Sequence, residues 1–469
     1  MANLNSTLSR HAHEHHRSSA ANESAPPRLQ QRNYFETPSA FEQVQKQPLQ
    51  SSTNSNPNLP SPAQVPKKRD SRRPSHVTSK LSIQSQPERR PSFDGSMFPS
   101  DQQPTQETLQ MYRQQVKKAN DPILLLEFSK YVIQMAEHLG QEKQSSPQKQ
   151  KALYSEAIKY IKKICSFKTS SLNDQQKAAV AEALVFYAEC HGSGGLGIAV
   201  SHEKAFSLYA QASKLNHPQA TYRVAVCNEL GAGCKRDSGR AVQYFRKSAA
   251  LGDSAGMYKM GLVMLNGLLG QTKNPREAIS WLKRAAQIAD HNNPHALHEL
   301  GLIYEKEGIP NVIPDDNYAR DLFTQASFLG YAPSQYRLGY AYEYGALGCA
   351  IDARRSIAWY TKAAQQGHPD SELALSGWYL TGAEGVLNRS DQEAYLWARK
   401  AADKGLAKAE YAVGYYSEMG IGVVKDLEEA RRWYVRAASQ GNQRAHQRLN
   451  ELKKLRSLQR KDDENCVIM

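Results

Sequence analysis

No run of about 18 apolar residues occurs in the 469 residues, so no membrane-spanning helix is expected. The N-terminus lacks a short apolar stretch behind basic residues, so no secretory signal is expected either. Six cysteines are present, and no two form a C-x-x-C. Cys227 and Cys234 are separated by a predicted loop without paired histidines nearby, which argues against a zinc site. Cys165, Cys190 and Cys349 read with them as thiols of a reducing compartment. A cytosolic chain is the expectation. Catalytic signatures are missing too: no G-x-S-x-G, no phosphate-binding loop, no H-E-x-x-H. His298, Glu299 and Glu305 fall on one predicted helix at spacings that make no acid–base pair, and read as helix surface. The histidines of HAHEHHR (11–17) read as polar tail. No catalytic residue, cofactor or metal is expected.

What the chain does have is a repeat of about 37 residues from near Ala178 to near Arg444. RAVQYFRKSAALG (240–252), RSIAWYTKAAQQG (355–367) and EARRWYVRAASQG (429–441) are three of its seven copies. One column holds Leu208, Tyr244, Trp281, Leu322, Trp359, Trp397 and Trp433. Three positions earlier stands Ala205, Ala241, Ala278, Ala319, Ser356, Ala394 or Ala430. Two columns in phase over seven units mean a solenoid. Each unit reads as two helices. In the last, Ala409, Ala412, Val413 and Tyr416 share one helix face. Gly420 and Gly422 end that helix, and Asp426 caps the next. Ala430, Trp433, Tyr434 and Ala437 form its apolar face, with the column aromatic expected to fill the gap between pairs. One pair cannot bury such a face alone, so stacking makes the core. The fold class is all-α: a right-handed helix-turn-helix repeat solenoid.

This pattern resembles the Sel-one-like repeat family, relatives of the tetratricopeptide repeats. The residues that carry the likeness are Ala409, Gly414, Gly420, Gly422, Val423, Ala430, Trp433, Tyr434, Ala437, Ala438 and Gly441. The fourth unit departs from it through a long linker, EGIPNVIPDD (307–316), where a bulge or a break in superhelix curvature is expected. The first unit is degenerate, with HGSGGLGIAV (191–200) as its loop.

Around the repeats (178–444) three further regions are expected. Residues 1–104 are rich in Ser, Pro and Gln and cannot bury enough surface to order themselves. Residues 105–177 read as a helical N-terminal cap, with Asp121-Pro122 opening one helix. Its stripe is Leu124, Phe128, Tyr131, Met135 and Leu139; a second is Ala157, Ile158, Ile161, Ile164 and Cys165. Residues 445–469 read as a capping helix, a basic segment and a terminal motif. The net charge of +14 favours an anionic membrane surface or acidic partners. No nucleic-acid-binding signature accompanies it.

The final residues are Cys466, Val467, Ile468 and Met469, a CaaX pattern whose Met favours farnesyl. Protein farnesyltransferase is therefore an expected partner, and Cys466 the acceptor. One lipid anchors only marginally. Lys453, Lys454, Arg456, Arg460 and Lys461 offer a basic second signal that Asp462, Asp463 and Glu464 weaken. In the N-terminal region, Arg72-Arg73-Pro74-Ser75 and Arg89-Arg90-Pro91-Ser92 repeat one tetrapeptide. It has the form that basophilic kinases read, making Ser75 and Ser92 expected phosphorylation sites.

A Ser/Pro-rich tail, the opening helix DPILLLEFSKYVIQMAEHLG (121–140), about seven such repeats and CVIM together resemble the fungal chitin synthase activator family. The resemblance implies a non-catalytic adaptor that binds a chitin synthase catalytic subunit, localises it to septum or wall growth, and stimulates it. It implies prenylation and a place on the cytoplasmic leaflet of the plasma membrane. The alternative is a polarity or wall-stress scaffold for kinases or small GTPases. By analogy with related solenoids, first helices line the binding face. Its non-core candidates are Arg223, Lys259, Glu299, Arg337, Glu343 and Glu410.

Overall fold

The computed structural model describes residues 106–141, 147–310 and 312–466. Three helices come first: α1 (Gln106–Ala119), α2 (Pro122–Gln141) and α3 (Pro147–Cys165). Seven helix pairs follow. They are α4 (Asp174–Ser193) with α5 (His202–Lys214), α6 (Pro218–Leu230) with α7 (Ser238–Ala250), and α8 (Ser254–Asn266) with α9 (Pro275–Gln287). Next come α10 (His295–Glu305) with α11 (Asp316–Phe328), and α12 (Ala332–Tyr344) with α13 (Ala353–Gln365). The last two are α14 (Pro369–Thr381) with α15 (Asp391–Asp403), and α16 (Ala407–Met419) with α17 (Leu427–Ser439). A final helix, α18 (Gln443–Cys466), lies against α17. The described residues contain no strand beyond one isolated bridge, Ala383 to Leu387. An all-α repeat solenoid is what the spacing predicts. The repeats have the form expected of Sel-one-like units.

Each pair begins its second helix the same way. Ser201, Asp237, Asn274, Asp315, Asp352, Ser390 and Asp426 each sit in extended or near-extended backbone and accept a hydrogen bond from a first-turn amide. Such a cap stabilises its helix by about 1 kcal/mol. The cap residue's own amide reaches back to the first helix, as Asp352 N–H does to Tyr342 C=O at 2.9 Å. The long fourth linker keeps the same backbone tie between its two helices. The first helix ends at Glu305 with Lys306 extended, where other units end on glycine. Asp315 N–H still reaches Tyr304 C=O, at 2.9 Å.

The column of small residues is buried in all seven second helices. The aromatic column is divided: Leu322 and Trp433 are buried as expected, and the others are not. Tyr244, Trp281, Trp359 and Trp397 are only half-buried. The gap is filled instead by the next residue along: Tyr209, Phe245, Leu282, Phe323, Tyr360 and Tyr434 are all buried. The reason lies opposite. Gly261, Gly301, Gly339 and Gly414 face this second column so closely that an added Cβ would stand 2.5–2.8 Å from Leu282, Phe323, Tyr360 or Tyr434. Ala188, Ala225 and Ser376 hold the same place in the other first helices. In the sixth unit the ring is missing, since Ala398 replaces it. There Ser376 Oγ donates to Ala394 C=O at 2.7 Å and pairs with Tyr416 Oη at 3.0 Å, so a tyrosine of the next unit takes up the space. Gly422 has a different task. At φ 67° its Cα lies so near α15 that a Cβ would stand 2.1 Å from Asp391 C=O. Gly233 meets His202 C=O in the same way at 2.0 Å. These glycines let one unit's loop touch the preceding unit's backbone.

The N-terminal cap is helical as expected, with α1 as an added layer. Leu109, Tyr112 and Val116 of α1 join Leu125, Phe128, Val132 and Ala136 of α2 in one cluster that continues into α6. Leu124 and Leu139, expected on the buried stripe, are half-buried, because Leu125 and Val132 centre that face instead. Ala157, Ile161 and Ile164 are buried as the second stripe requires, while Ile158 and Cys165 are half-buried. Ser75, Ser92, Val467, Ile468 and Met469 lie outside the described residues, and Cys466 closes α18.

Candidate partner-binding face

The register of the packing glycine orders the first helices. Two residues before it stand Arg223, Lys259, Glu299 and Arg337; four after it stand Glu229, Glu305, Glu343 and Glu418. Three of these acids bind a base on the following first helix. Lys259 Nζ lies 3.0 Å from Glu229, Arg337 pairs with Glu305, and Arg448 of α18 pairs with Glu418 through its Nε at 3.0 Å. Lys259 and Arg337 also lean on the solenoid's aromatics. Lys259 sits 5.7 Å from the Phe245 ring, and Arg337 lies 5.9 Å from that of Phe323. Ion pairs therefore tie these helices at three junctions, α6 to α8, α10 to α12 and α16 to α18.

Glu343 has no such base, since Ala374 occupies the matching place on α14. It accepts a hydrogen bond from Tyr360 Oη at 2.7 Å instead. Burial pushes its carboxyl above the usual range, and the bonds from Tyr360 and Tyr344 offset that only in part. Around it gather Tyr336, Tyr340 and Tyr344, with Tyr336 stacked on His368 at 5.1 Å. Glu410 is buried, held by Arg436 at 3.2 Å and Gln440 at 2.7 Å. Glu372, its counterpart in the sixth unit, is buried against Lys404 at 2.6 Å. Arg223 offsets the burial that raises Glu189 and Tyr209. Glu299 adds to the rise of Tyr258 and Tyr331.

Of the six candidate residues, Lys259, Arg337, Glu343 and Glu410 are thus engaged within the solenoid. Glu229, Glu418 and Arg448 complete these ion pairs and were not singled out from sequence, while Glu305 was read there only as helix surface. Their signal is present there: an acid four residues after the helix glycine or its alanine equivalent. His298 is buried rather than on a helix surface. Its Nδ1 lies 2.8 Å from Ser334 Oγ, and its ring packs on Phe323 and Tyr331. This joins it to the next first helix, away from Glu305, which is bound to Arg337.

Three buried or half-buried thiols show no activation. Burial pushes Cys165 and Cys190 up to about 12 and Cys227 up to about 11, so all three stay protonated near neutrality. Among the described residues no group of His, Cys, Asp or Glu could hold a metal, and no helix is long and apolar enough to cross a membrane.

A family model, Sel1 repeat, matches seven consecutive segments: 181–217, 218–253, 254–290, 294–331, 332–368, 369–406 and 407–442. Chitin synthase regulatory factor 3 of Schizosaccharomyces pombe is 43% identical over 309 residues, 64% of this chain and 33% of that protein. Chitin synthase regulator SKT5 of Malassezia restricta is 43% identical over 352 residues, 74% of this chain and 24% of that protein. Activator of C kinase protein 1 of Saccharomyces cerevisiae is 35% identical over 277 residues, 53% of this chain and 44% of that protein. The chain spans less than half the length of each of these relatives.

Proposed function

The chain belongs to the Sel1 repeat family and groups with the fungal chitin synthase regulatory factors, and from that premise we propose that it is a non-catalytic adaptor that binds, localises and activates a membrane chitin synthase during septum or wall synthesis. One observation carries the reading. The two 43% matches run over 309 and 352 residues, longer than the whole repeat array at 181–442, so the likeness extends past the repeats. A generic helical solenoid would share the repeats alone.

The physical means are those of a stacked array. First helices, tied by ion pairs at three junctions, present a continuous face to a protein segment. On this reading Cys466 carries a farnesyl group added by protein farnesyltransferase. The adaptor then sits on the cytoplasmic leaflet of the plasma membrane. A single lipid gives marginal binding, so the client supplies part of the attachment.

The test is a pull-down from fungal membranes with the wild-type chain and Cys466→Ser. The expected result is a chitin synthase recovered by both, with the variant shifted in part to the cytosol. Recovery of no synthase by either, with unchanged wall chitin on deletion, overturns the proposal.

A second reading has its own support. One relative is named for activating a C kinase, and Ser75 and Ser92 each follow an Arg-Arg-Pro. On this reading the chain is a wall-stress or polarity scaffold for kinases or small GTPases, with the tail marked by a basophilic kinase. Kinases recovered in the same pull-down without a synthase would select it.

A further inference from the structure

Charge is divided between the two helix sets. The seven second helices carry 17 Lys and Arg against 9 Asp and Glu, a net of +8. The seven first helices carry 5 against 11, a net of −6. Burial separates the sets further. Several first-helix acids are spent on internal partners, as Glu372, Glu410 and Glu418 are. The second-helix bases point outward: Arg240, Arg246 and Arg355 have side chains 72%, 53% and 64% exposed.

Three half-buried tryptophans, Trp281, Trp359 and Trp397, lie on that same side. Each has a base stacked over it: Arg284 at 4.5 Å from Trp281, Lys362 at 4.4 Å from Trp359, Lys400 at 3.9 Å from Trp397. Between them stand apolar residues with no cover: Phe328 is 72% exposed, Val435 52%, Ile288 47% and Leu396 45%. Contacts join neighbouring second helices into one surface. Arg246 reaches Glu277 at 3.4 Å, Phe328 meets Trp359 edge-on at 6.0 Å, and Arg399 reaches Glu429 at 3.4 Å.

We propose that this second-helix face docks on an anionic phospholipid surface. The inference deepens the membrane-adaptor reading and names the face involved. Tryptophan with one polar edge and bases on long stems are side chains suited to a headgroup layer. The exposed apolar residues are spread singly over several helices. A shaped protein pocket demands a clustered anchor, whereas a fluid surface does not. Lys and Arg near anionic lipid add attraction one by one, so a net of +8 matters even where single contacts are weak. The client-binding first helices are then left facing away from the bilayer.

The experiment is vesicle flotation with the full chain carrying Cys466→Ser, so that no prenyl group contributes. Vesicles are phosphatidylcholine alone or with added phosphatidylserine. Binding to the anionic vesicles only, lost on raising the salt, is expected. Reversing Arg354, Arg355, Lys362 and Lys400 to Glu should cut it by about tenfold or more. Phe328→Asp, which leaves every base and cap in place, should cut it several-fold. Tryptophan emission should move to the blue as vesicles are added. Two results overturn the inference. One is no flotation of the parent chain. The other is equal flotation of both variants, which would assign binding to the basic tail or to α18. Loss of the inference with a synthase still recovered leaves the adaptor standing. Flotation that depends on this face, with no synthase recovered, sinks the adaptor and keeps the membrane face.

Discussion

In the fifth unit Glu343 accepts a hydrogen bond from Tyr360 at 2.7 Å; in the seventh, Glu418 accepts the matching bond from Tyr434 at 2.8 Å. Both acids stand four residues after a glycine, and both tyrosines lie against that glycine. Their carboxyls move in opposite directions. Burial lifts Glu343, and its tyrosine bonds only offset this. Burial would lift Glu418 as well, but the hydrogen bond from Arg448, then that from Tyr434, outweigh it and hold the carboxyl below its usual range. The difference comes from outside the unit. Arg448 belongs to the helix that follows, and the matching place after the fifth unit holds Ala374. Repeat symmetry fixes where an acid stands, and the neighbour decides its charge. Stability that is a sum over units and their junctions therefore differs from junction to junction even where the units look alike.

The strongest way to break the comparison is to separate tyrosine from acid in both units. Gly414→Leu would put a Cβ 2.8 Å from the Tyr434 ring and 3.2 Å from Ala430 C=O; Gly339→Leu would put one 2.5 Å from Tyr360. Each should cost about 3 kcal/mol, at the upper end of overpacking, and lower the unfolding midpoint. A variant that melts like the parent would show that the glycine does not set the ring. Next in size is Arg448→Met, which removes the base and keeps the stem's packing. The Glu418 carboxyl, buried with one tyrosine bond left, should then titrate upward as Glu343 does. The expected cost is about 2 kcal/mol, less than for a fully buried pair because Arg448 is 34% exposed. Carbon-13 chemical shifts of the carboxyl against pH read this directly. An unmoved Glu418 titration would place its partner elsewhere.

These contrasts also mark where the sequence stops speaking. Helix pairs, caps and the buried small residues follow from period, turn residues and spacing, so Asp426, Gly420 and Ala430 are legible one by one. The buried aromatic column was missed by one position. Trp359 and Trp397 are the larger apolar residues, but the glycine opposite admits Tyr360, and tryptophan is left under a lysine. Side-chain size alone cannot show which neighbour faces the glycine. The candidate face was legible as a set of helices and much less so as residues. Lys259 and Arg337 look like free charges in sequence, because their partners Glu229 and Glu305 lie a whole unit away.

The acid limb of stability sharpens the comparison with a smaller effect. Glu418 has a lowered carboxyl, so its stabilisation is complete above the unfolded value near 4.5 and is lost as pH falls through its folded value. Glu343 has a raised one, so its ionisation costs stability above that folded value, and the cost is relieved as pH falls toward 4.5. Glu418→Gln should therefore lose most at pH 7 and least at pH 4. Glu343→Gln should be neutral at pH 4 and neutral or slightly stabilising at pH 7. Each effect should be on the order of 1 kcal/mol. Hydrogen exchange of α13 and α17 at the two pH values separates them, and parallel pH profiles would refute the assignment.

The smallest effect is the most specific. Ala374→Arg places a guanidinium where Arg337 and Arg448 stand relative to their own acids. It should pull the Glu343 carboxyl down into the range of Glu418 and turn the fifth junction into a copy of the seventh. The gain should stay under about 1 kcal/mol, because the added side chain loses rotamer freedom and Ala374, like Tyr336 and Tyr340, already packs against the Tyr360 cluster. The titration is therefore the better readout than the melt. A fall in Glu343 with no change in Tyr360 packing would show that one missing base is the whole difference between the junctions. An unchanged Glu343 would mean that the tyrosine cluster around it closes off the place where the base must reach.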